Sequence, residues 1–243
     1  MPAVTEAGHL RTVVTGLLGF AAAQEQELLA TRRAPETGSA RSWAAAPLVA
    51  HNTEFKQQQV QRLHALIQGT GVPEVAEIDH GAADVYAAYA AIPADQAAQD
   101  SWGATGALIG GLAAIGDEDL LDPLRHPWLR GRMLWLQMIV RGFWHPAGHV
   151  SEYYLAHGQP EVAVLLGRRA VTTATDLGAP PPACGMAYYN LACAQARSGN
   201  PGESAAALAE AIALNPDLRA NAERDSDLEA LRDSGRLVTV LST

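Results

Sequence analysis

The second long helical stretch of this 243-residue chain, residues 42–67, reads SWAAAPLVAHNTEFKQQQVQRLHALI. Alanine, leucine and glutamine recur in it at the three- and four-residue spacing that puts side chains on one helix face. Ser42 is a favourable N-cap, and Gly69 follows as a helix terminator. The stretch therefore predicts a helix that carries His51 near its middle.

The same helical spacing of side chains recurs along the rest of the chain, and alternating strand patterns are nearly absent. The fold class is therefore predicted to be all-α. Four long helices joined by modest connections favour a four-helix bundle over residues 1–157, followed by a helical module over 158–243. The predicted segments are helices at 5–31, 42–67, 95–115 and 128–156, a short helix at 82–91, a loop at 117–127, a helix at 161–176, a linker at 179–182, and two further short helices.

The module at 158–243 contains a pattern of small residues and turn formers. YYNLA at 188–192 is followed by Gly199, by Ala211 twelve residues later, and by Pro216. This spacing resembles a tetratricopeptide repeat, in which two helices pack antiparallel around small residues. Ser204 and Ala192 depart from the repeat's usual alanine and glycine, but both remain small. We expect this unit to stack on neighbouring helices, because one repeat cannot bury its apolar face alone.

Charge and cysteine content exclude several classes of function. The net charge of −9 and pI near 5.3 give no basic surface for nucleic acid or for anionic membranes. Two cysteines, Cys184 and Cys193, indicate a reducing compartment, and no apolar run reaches the length of a membrane span. The apolar run at 13–23 continues a helical pattern and lacks a signal peptide's basic flank. The expectation is a soluble, cytoplasmic protein.

Two histidines, His145 and His149, lie four residues apart in WHPAGH at 144–149. On a helix this spacing puts the rings about 6 Å apart along the axis and on one side, which suits shared coordination of one metal ion. An inward-facing His51 would complete a three-histidine site with an open position. Arg141 and Tyr153, each four residues outside the pair, can orient a substrate, although a surface arginine and a core tyrosine are the ordinary interpretation.

Pro146 lies between the two histidines and disturbs the helix that carries them. It removes the hydrogen bond to the Gly142 carbonyl and its ring crowds that turn, so we expect a kink. Gly142 and Gly148 let the backbone adjust, and the distortion can then aim His145 at the metal. The alternative is a helix that restarts at Pro146 and leaves His145 ahead of it.

A tryptophan before a histidine on the second helix (Trp43, His51), followed a bundle's length later by His-x3-His (His145, His149), resembles the DinB-like superfamily. The resemblance covers residues 1–157. Members include thiol-dependent S-transferases and the mycothiol-dependent maleylpyruvate isomerase, and many hold a metal on three histidines in a four-helix bundle. The resemblance implies that His51, His145 and His149 are metal ligands. It implies no binding of DNA.

Three neutral imidazoles would hold a divalent ion, with zinc or nickel favoured and iron or manganese as alternatives. The resemblance implies attack by a low-molecular-weight thiol cosubstrate on a small electrophilic substrate. Hydrolysis is the close variant, with Glu54, three residues after His51, as general base. The competing hypothesis is a non-catalytic adaptor, in which the repeat module binds a protein partner and the bundle is structural or stores a metal. A homodimer through the bundle is a default expectation.

Overall fold

The computed structural model describes residues 5–31, 42–73 and 82–242. Every regular element in these ranges is a helix, and they contain no β-strand. The all-α prediction is therefore confirmed. The chain divides into two compact units, Met1–His149 and Val150–Thr243. The boundary that the sequence suggests after residue 157 stays a prediction.

None of the described helices has both the length and the apolar character that crossing a lipid bilayer would require.

The first unit is built around long helices that share an aliphatic core. Its helices are α1 (Glu6–Thr31), α2 (Ala45–Gln68), α3 (Ala82–Tyr89), α4 (Ala94–Ala114), α5 (Asp117–Leu121), α6 (Leu134–Ile139) and the first part of α7 (His145–Ala156). Helices α1 and α2 both pack against α4, and α1 also contacts α6. Leu17, Leu108 and Leu134, one from each of α1, α4 and α6, are fully buried. Removing such side chains from water is the main force that holds these helices together.

Helix α2 starts two residues later than predicted. Its N-cap is Ala44, without a side-chain cap, so the assignment of this role to Ser42 was wrong. Pro47 gives the reason, because a proline fits the first turn of a helix, where its missing N–H has no partner to lose. A start at Trp43 would put Pro47 deeper in the helix. The predicted end is confirmed, since Gly69 adopts the left-handed conformation with φ 64°.

The stretch between α4 and α7 is more broken than predicted. The expected loop at 117–127 contains α5, whose first turn carries three acidic side chains that favour a helix N-terminus. The expected helix at 128–156 instead begins as a 3-10 turn, Pro127–Leu129. Arg130 and Gly131, with φ of 53° and 82°, then interrupt it. These positive φ values end the helical path, so α6 starts only at Leu134.

A π-helical turn, Val140–Trp144, joins α6 to α7 just ahead of Pro146. The His145 N–H donates to the Val140 carbonyl five residues back, so the turn is one residue wider than an α-turn. This wider turn is how the chain accommodates the proline that was expected to kink the helix. His145 is the first residue of α7 and is helical. The alternative start at Pro146 was wrong by one residue.

The π turn also packs closely on α1. A Cβ added to Gly142 would overlap the Cδ2 atom of Leu18, so a larger residue here would force the buried Leu18 side chain to move. This contact fixes the position of the backbone that leads into His145.

A buried charged network ties α1, α2 and α4 together. Lys56, the only lysine in the chain, donates from Nζ to Glu25 Oε2 at 2.5 Å, and both side chains are fully buried. Ser101 Oγ donates to the same carboxylate oxygen at 2.6 Å, and Asn52 Nδ2 donates to Glu25 Oε1 at 2.9 Å. Because both oxygens of Glu25 are engaged, rotating α2 about its axis would leave a buried charge without its partners.

The second unit continues from α7 with helices that pack as neighbours along the chain. They are α8 (Pro160–Asp176), α9 (Pro181–Arg197), α10 (Pro201–Leu214), α11 (Leu218–Ala222), α12 (Glu229–Asp233) and α13 (Arg236–Leu241). The predicted helix at 161–176 is confirmed as α8. The predicted linker at 179–182 is shorter than expected, because Pro181 already opens α9, a position that prolines favour.

Helices α9 and α10 form an antiparallel pair around small residues. They turn at Gly199, and α9 also packs against α8. Ser204, fully buried, donates its hydroxyl to the Ala192 carbonyl at 2.7 Å. The two positions that depart from the repeat pattern thus contact each other. An alanine at position 204 would fill the same space without this hydrogen bond, whereas a glycine at 192 would keep it, because the acceptor is a main-chain carbonyl.

Candidate metal centre

Three histidines converge within the first unit. One ring nitrogen of each of His51, His145 and His149 lies within 4.8 Å of the others. The ring centroids of His145 and His149 are 4.3 Å apart, and the ring of His51 lies 5.4 and 5.2 Å from them. The structure therefore brings together side chains that are 94 positions apart in the sequence.

Two elements place these rings. His145 and His149 stand one turn apart at the start of α7, so both project from the same side of that helix. His51 lies in the second turn of α2, which contacts the π turn just ahead of His145. The Glu25–Lys56 network lies on another face of α2 and fixes the rotation of this helix about its axis. The face that carries His51 is thereby turned toward α7.

Aromatic rings enclose the cluster on the α2 side. Trp43, Phe55 and Tyr89 have ring centroids 5.3, 5.0 and 6.4 Å from that of His51. The ring of Phe55 also lies 4.3 Å from that of His145. These rings lower the local polarity and exclude water from one side of the histidines, which strengthens any electrostatic interaction there.

The surroundings of His145 favour its neutral form. Burial lowers its pKa well below the usual range, and the neighbouring charges of His149, His51 and Arg141 lower this pKa further. Its Nε2 atom is buried and has no hydrogen-bond partner among the described residues. A buried nitrogen without a partner is costly, and a metal ion is one ligand that would satisfy it.

The donor set fits a divalent metal ion. Imidazole nitrogens bind zinc at about 2.0–2.1 Å, which in a tetrahedral site puts ligand nitrogens about 3.4 Å apart. Small rotations of side chains already within 4.8 Å of one another reach that spacing. The cluster can therefore hold a metal ion while leaving at least one position for another ligand.

Glu54 lies beside the cluster rather than in it. It lines a pocket of about 460 Å³ together with Thr53, Gln57, Tyr89 and Asp100. None of the three histidines lines this pocket. Tyr89 does, and the centroid of its ring lies 6.4 Å from that of His51. The role of Glu54 as general base stays a prediction.

Arg141 was expected to be a surface arginine if it has no role in the site, but it is not exposed. It is half-buried in the π turn, with its guanidinium carbon 4.9 Å from the centroid of Phe55. Arg62 lies on the same face of α2 as Phe55, and its guanidinium carbon is 4.8 Å from the centroid of the Trp128 ring. Neither Arg62 nor Trp128 was assigned a role from the sequence. Tyr153, by contrast, is a core tyrosine of the second unit.

The second unit holds another cluster that sequence reasoning missed. Atoms of Cys193, Asp225 and Asp227 lie within 4.8 Å of one another. Each carboxylate already has a partner, because Tyr189 donates to Asp225 at 2.8 Å and Arg197 pairs with Asp227 at 3.2 Å. Burial and the charges of both aspartates raise the pKa of the Cys193 thiol well above its usual range. The cluster joins α9 to the segment that follows α11.

None of the protein-family models, curated proteins or solved structures compared with this chain matches it. The resemblances to the DinB-like superfamily and to a tetratricopeptide repeat accordingly depend on the residues named above.

Proposed function

We propose that residues 1–157 are a DinB-like four-helix bundle that binds one divalent metal ion through His51, His145 and His149. In this proposal the site activates a low-molecular-weight thiol, or water, for attack on a small electrophilic substrate. The observation that carries the proposal is the approach of one ring nitrogen of each histidine to within 4.8 Å of the others. Zinc or nickel suits three imidazoles best, with iron or manganese as alternatives.

The chemistry follows from the charge of the ligands. A metal ion held by three neutral imidazoles keeps its full positive charge and makes a thiol or a water bound to it more acidic. The depressed pKa of His145 keeps that ligand unprotonated at neutral pH. Trp43 and Phe55 shield the nucleophile from bulk water on the His51 side. This shielding favours a dry site, where a thiolate is a stronger nucleophile than in solution.

The hydrolytic variant needs a proton acceptor. Glu54 is half-buried on α2 and lies three residues after His51, which on a helix is about 4.5 Å along the axis and about 60° around it. A carboxylate there would accept a proton from water, while thiol transfer would not need it. Glu54→Gln should therefore reduce hydrolysis and leave thiol transfer largely intact, when both are measured on one electrophilic substrate.

The four-helix arrangement is supported by the packing of α1 and α2 on α4, by the contacts of α6 with α1, and by the contacts of the π turn with both α1 and α2. The repeat assignment is supported by the α9–α10 pair and its Ser204–Ala192 contact. A tetratricopeptide-like surface usually binds peptides, so a protein partner of the second unit is part of the proposal.

Metal content is the direct test. Protein purified without a histidine tag should carry close to one equivalent of metal by elemental analysis, and His51→Ala should lose it. His64→Ala is the matched control, because His64 is exposed on the same helix and lies outside the cluster. If wild-type protein remains metal-free after dialysis against zinc or nickel, the enzyme proposal fails and the adaptor hypothesis is favoured.

A further inference from the structure

Arg141 brings a positive charge next to the histidine cluster. Its guanidinium stacks on Phe55, and the ring of Phe55 contacts the rings of both His51 and His145. One aromatic ring thus separates the guanidinium from two of the three proposed ligands. A group held by Arg141 would lie within reach of a nucleophile at the histidines.

A second guanidinium extends this positive region along α2. Arg62 lies eleven residues after His51, which returns to the same side of the helix, and its side chain covers the ring of Trp128. Arg141 stacks on Phe55, and Phe55 lies seven residues before Arg62, so both rest on one face of α2, about 10.5 Å apart along its axis. In keeping with this placement, burial lowers the pKa of Arg62 and the positive charge of Arg141 lowers it further.

Two hydrogen-bond donors at this place lack acceptors. The Nε atom of Arg62 and the indole Nε1 of Trp128 are both buried and have no hydrogen-bond partner among the described residues. Arg62 takes part in no ion pair in these parts of the chain, and its contact with the Gln59 side-chain oxygen is long, at 3.5 Å. Leaving these two buried donors unsatisfied beside the Arg62 guanidinium costs stability unless an acceptor, such as an anion, binds there.

We propose that Arg62, Arg141 and the Trp128 N–H bind the carboxylate of a small substrate whose reactive end reaches the histidine cluster. The planar fork of a guanidinium matches the two oxygens of a carboxylate, and the flat rings of Trp128 and Phe55 suit a slender organic acid. The substrate role rests on the function proposed above, but the anion site itself does not. The anion site narrows the substrate of the proposed function to one class, an electrophile that carries a carboxylate.

The test uses the tryptophan as a reporter in the full-length protein. The chain has five tryptophans, so the indole N–H region of a nitrogen–proton correlation spectrum is sparse, and Trp128→Phe identifies the relevant peak. Sodium succinate is the probe, titrated at constant ionic strength against sodium chloride. The Trp128 indole proton should shift downfield and saturate, because it gains an acceptor. Inorganic phosphate in a parallel titration separates a carboxylate site from a phosphate site.

Substitutions of Arg62 show whether this arginine is needed for succinate binding. Arg62→Gln should weaken succinate binding by about tenfold or more, since hydrogen bonds between charged groups are lost. Arg132→Gln is the control, because Arg132 is exposed in the same unit, and it should bind succinate like wild type. If Arg62→Gln loses its helical circular dichroism, Arg62→Lys takes its place, keeping the charge and losing the fork.

The outcomes separate this inference from the proposed function. The inference is wrong if succinate gives no saturable shift of Trp128, if Arg62 substitution leaves the affinity unchanged, or if phosphate alone binds. The titration is repeated on the metal-free His51→Ala variant. Succinate binding that persists there supports the anion site whether or not the wild-type protein binds metal.

Discussion

The buried pair of Glu25 and Lys56 should be the most sensitive point of the first unit. Glu25→Gln keeps the shape of the side chain but removes its charge, so the Lys56 ammonium stays in the core without a counter-ion. Both side chains are fully buried, which means that solvent cannot compensate the charge. The amide keeps one acceptor, so either Ser101 or Asn52 must turn from donor to acceptor, which the hydroxyl and the side-chain amide can both do. The loss therefore comes mainly from the ion pair.

The size of the effect follows from the cost of a buried unpaired charge. Breaking a buried pair by removing one partner destabilises a protein by about 3–5 kcal/mol. For a unit of this length that corresponds to a fall in Tm on the order of 10 °C. Replacing both partners, as in Glu25→Gln with Lys56→Met, removes the stranded charge and should restore most of the loss.

Urea unfolding followed by circular dichroism measures these free energies for wild type, both single variants and the double variant. Asp117→Asn is the control, because the Arg11–Asp117 pair is largely exposed at the aspartate and should contribute about 1 kcal/mol or less. Refutation would be a Glu25→Gln protein within 1 kcal/mol of wild type, or a double variant less stable than either single one.

Three further outcomes are expected. Gly142→Ala should destabilise the first unit by about 1–3 kcal/mol, because the new methyl group overlaps a leucine of α1. Gly110→Ala, on the open face of α4, is the control and should be neutral or slightly stabilising. Thermal melts of the two variants and of wild type measure the difference. Tyr189→Phe should cost the second unit about 2 kcal/mol in urea unfolding, through loss of the hydroxyl that donates to Asp225, and an unchanged midpoint would contradict that bond. The raised pKa of Cys193 means that the folded unit holds the thiol proton more tightly than the unfolded chain, so this stabilisation is complete below about pH 8.5 and is lost as the pH rises. Cys193→Ala should therefore flatten the decline of stability at alkaline pH, and an unaltered slope would argue against a buried thiol.

Local patterns predicted the parts of the fold that local chemistry decides. The end of α2 at Gly69 and the extent of α1 follow from glycine conformation and helical periodicity, and both were predicted. The pairing of His145 with His149 follows from the period of one helix. The start of α2 was missed because Ser42 was favoured as a cap without weighing Pro47, which fixes the first turn. Arg130 carried no signal for its left-handed conformation, since arginine rarely adopts it.

Contacts between distant segments could not be predicted in the same way. Glu25 and Lys56 are 31 residues apart, and no periodic pattern joins them, although a lone lysine inside an otherwise lysine-free helical chain is a signal that it has a special environment. The place of Arg62 above Trp128 likewise depends on the break at 130–131 that the predicted continuous helix lacked. His51 was joined to the other histidines through its place on the second helix of the expected bundle and through a family resemblance, and not through spacing.

X-ray absorption spectroscopy of the zinc-loaded protein tests the central claim most directly. The account predicts about three imidazole nitrogens at about 2.0–2.1 Å from the metal, with the multiple-scattering pattern of histidine rings, and a loss of one ring from that pattern in any zinc retained by His51→Ala. A first shell with one imidazole or none, or one that contains sulfur, would contradict the three-histidine centre.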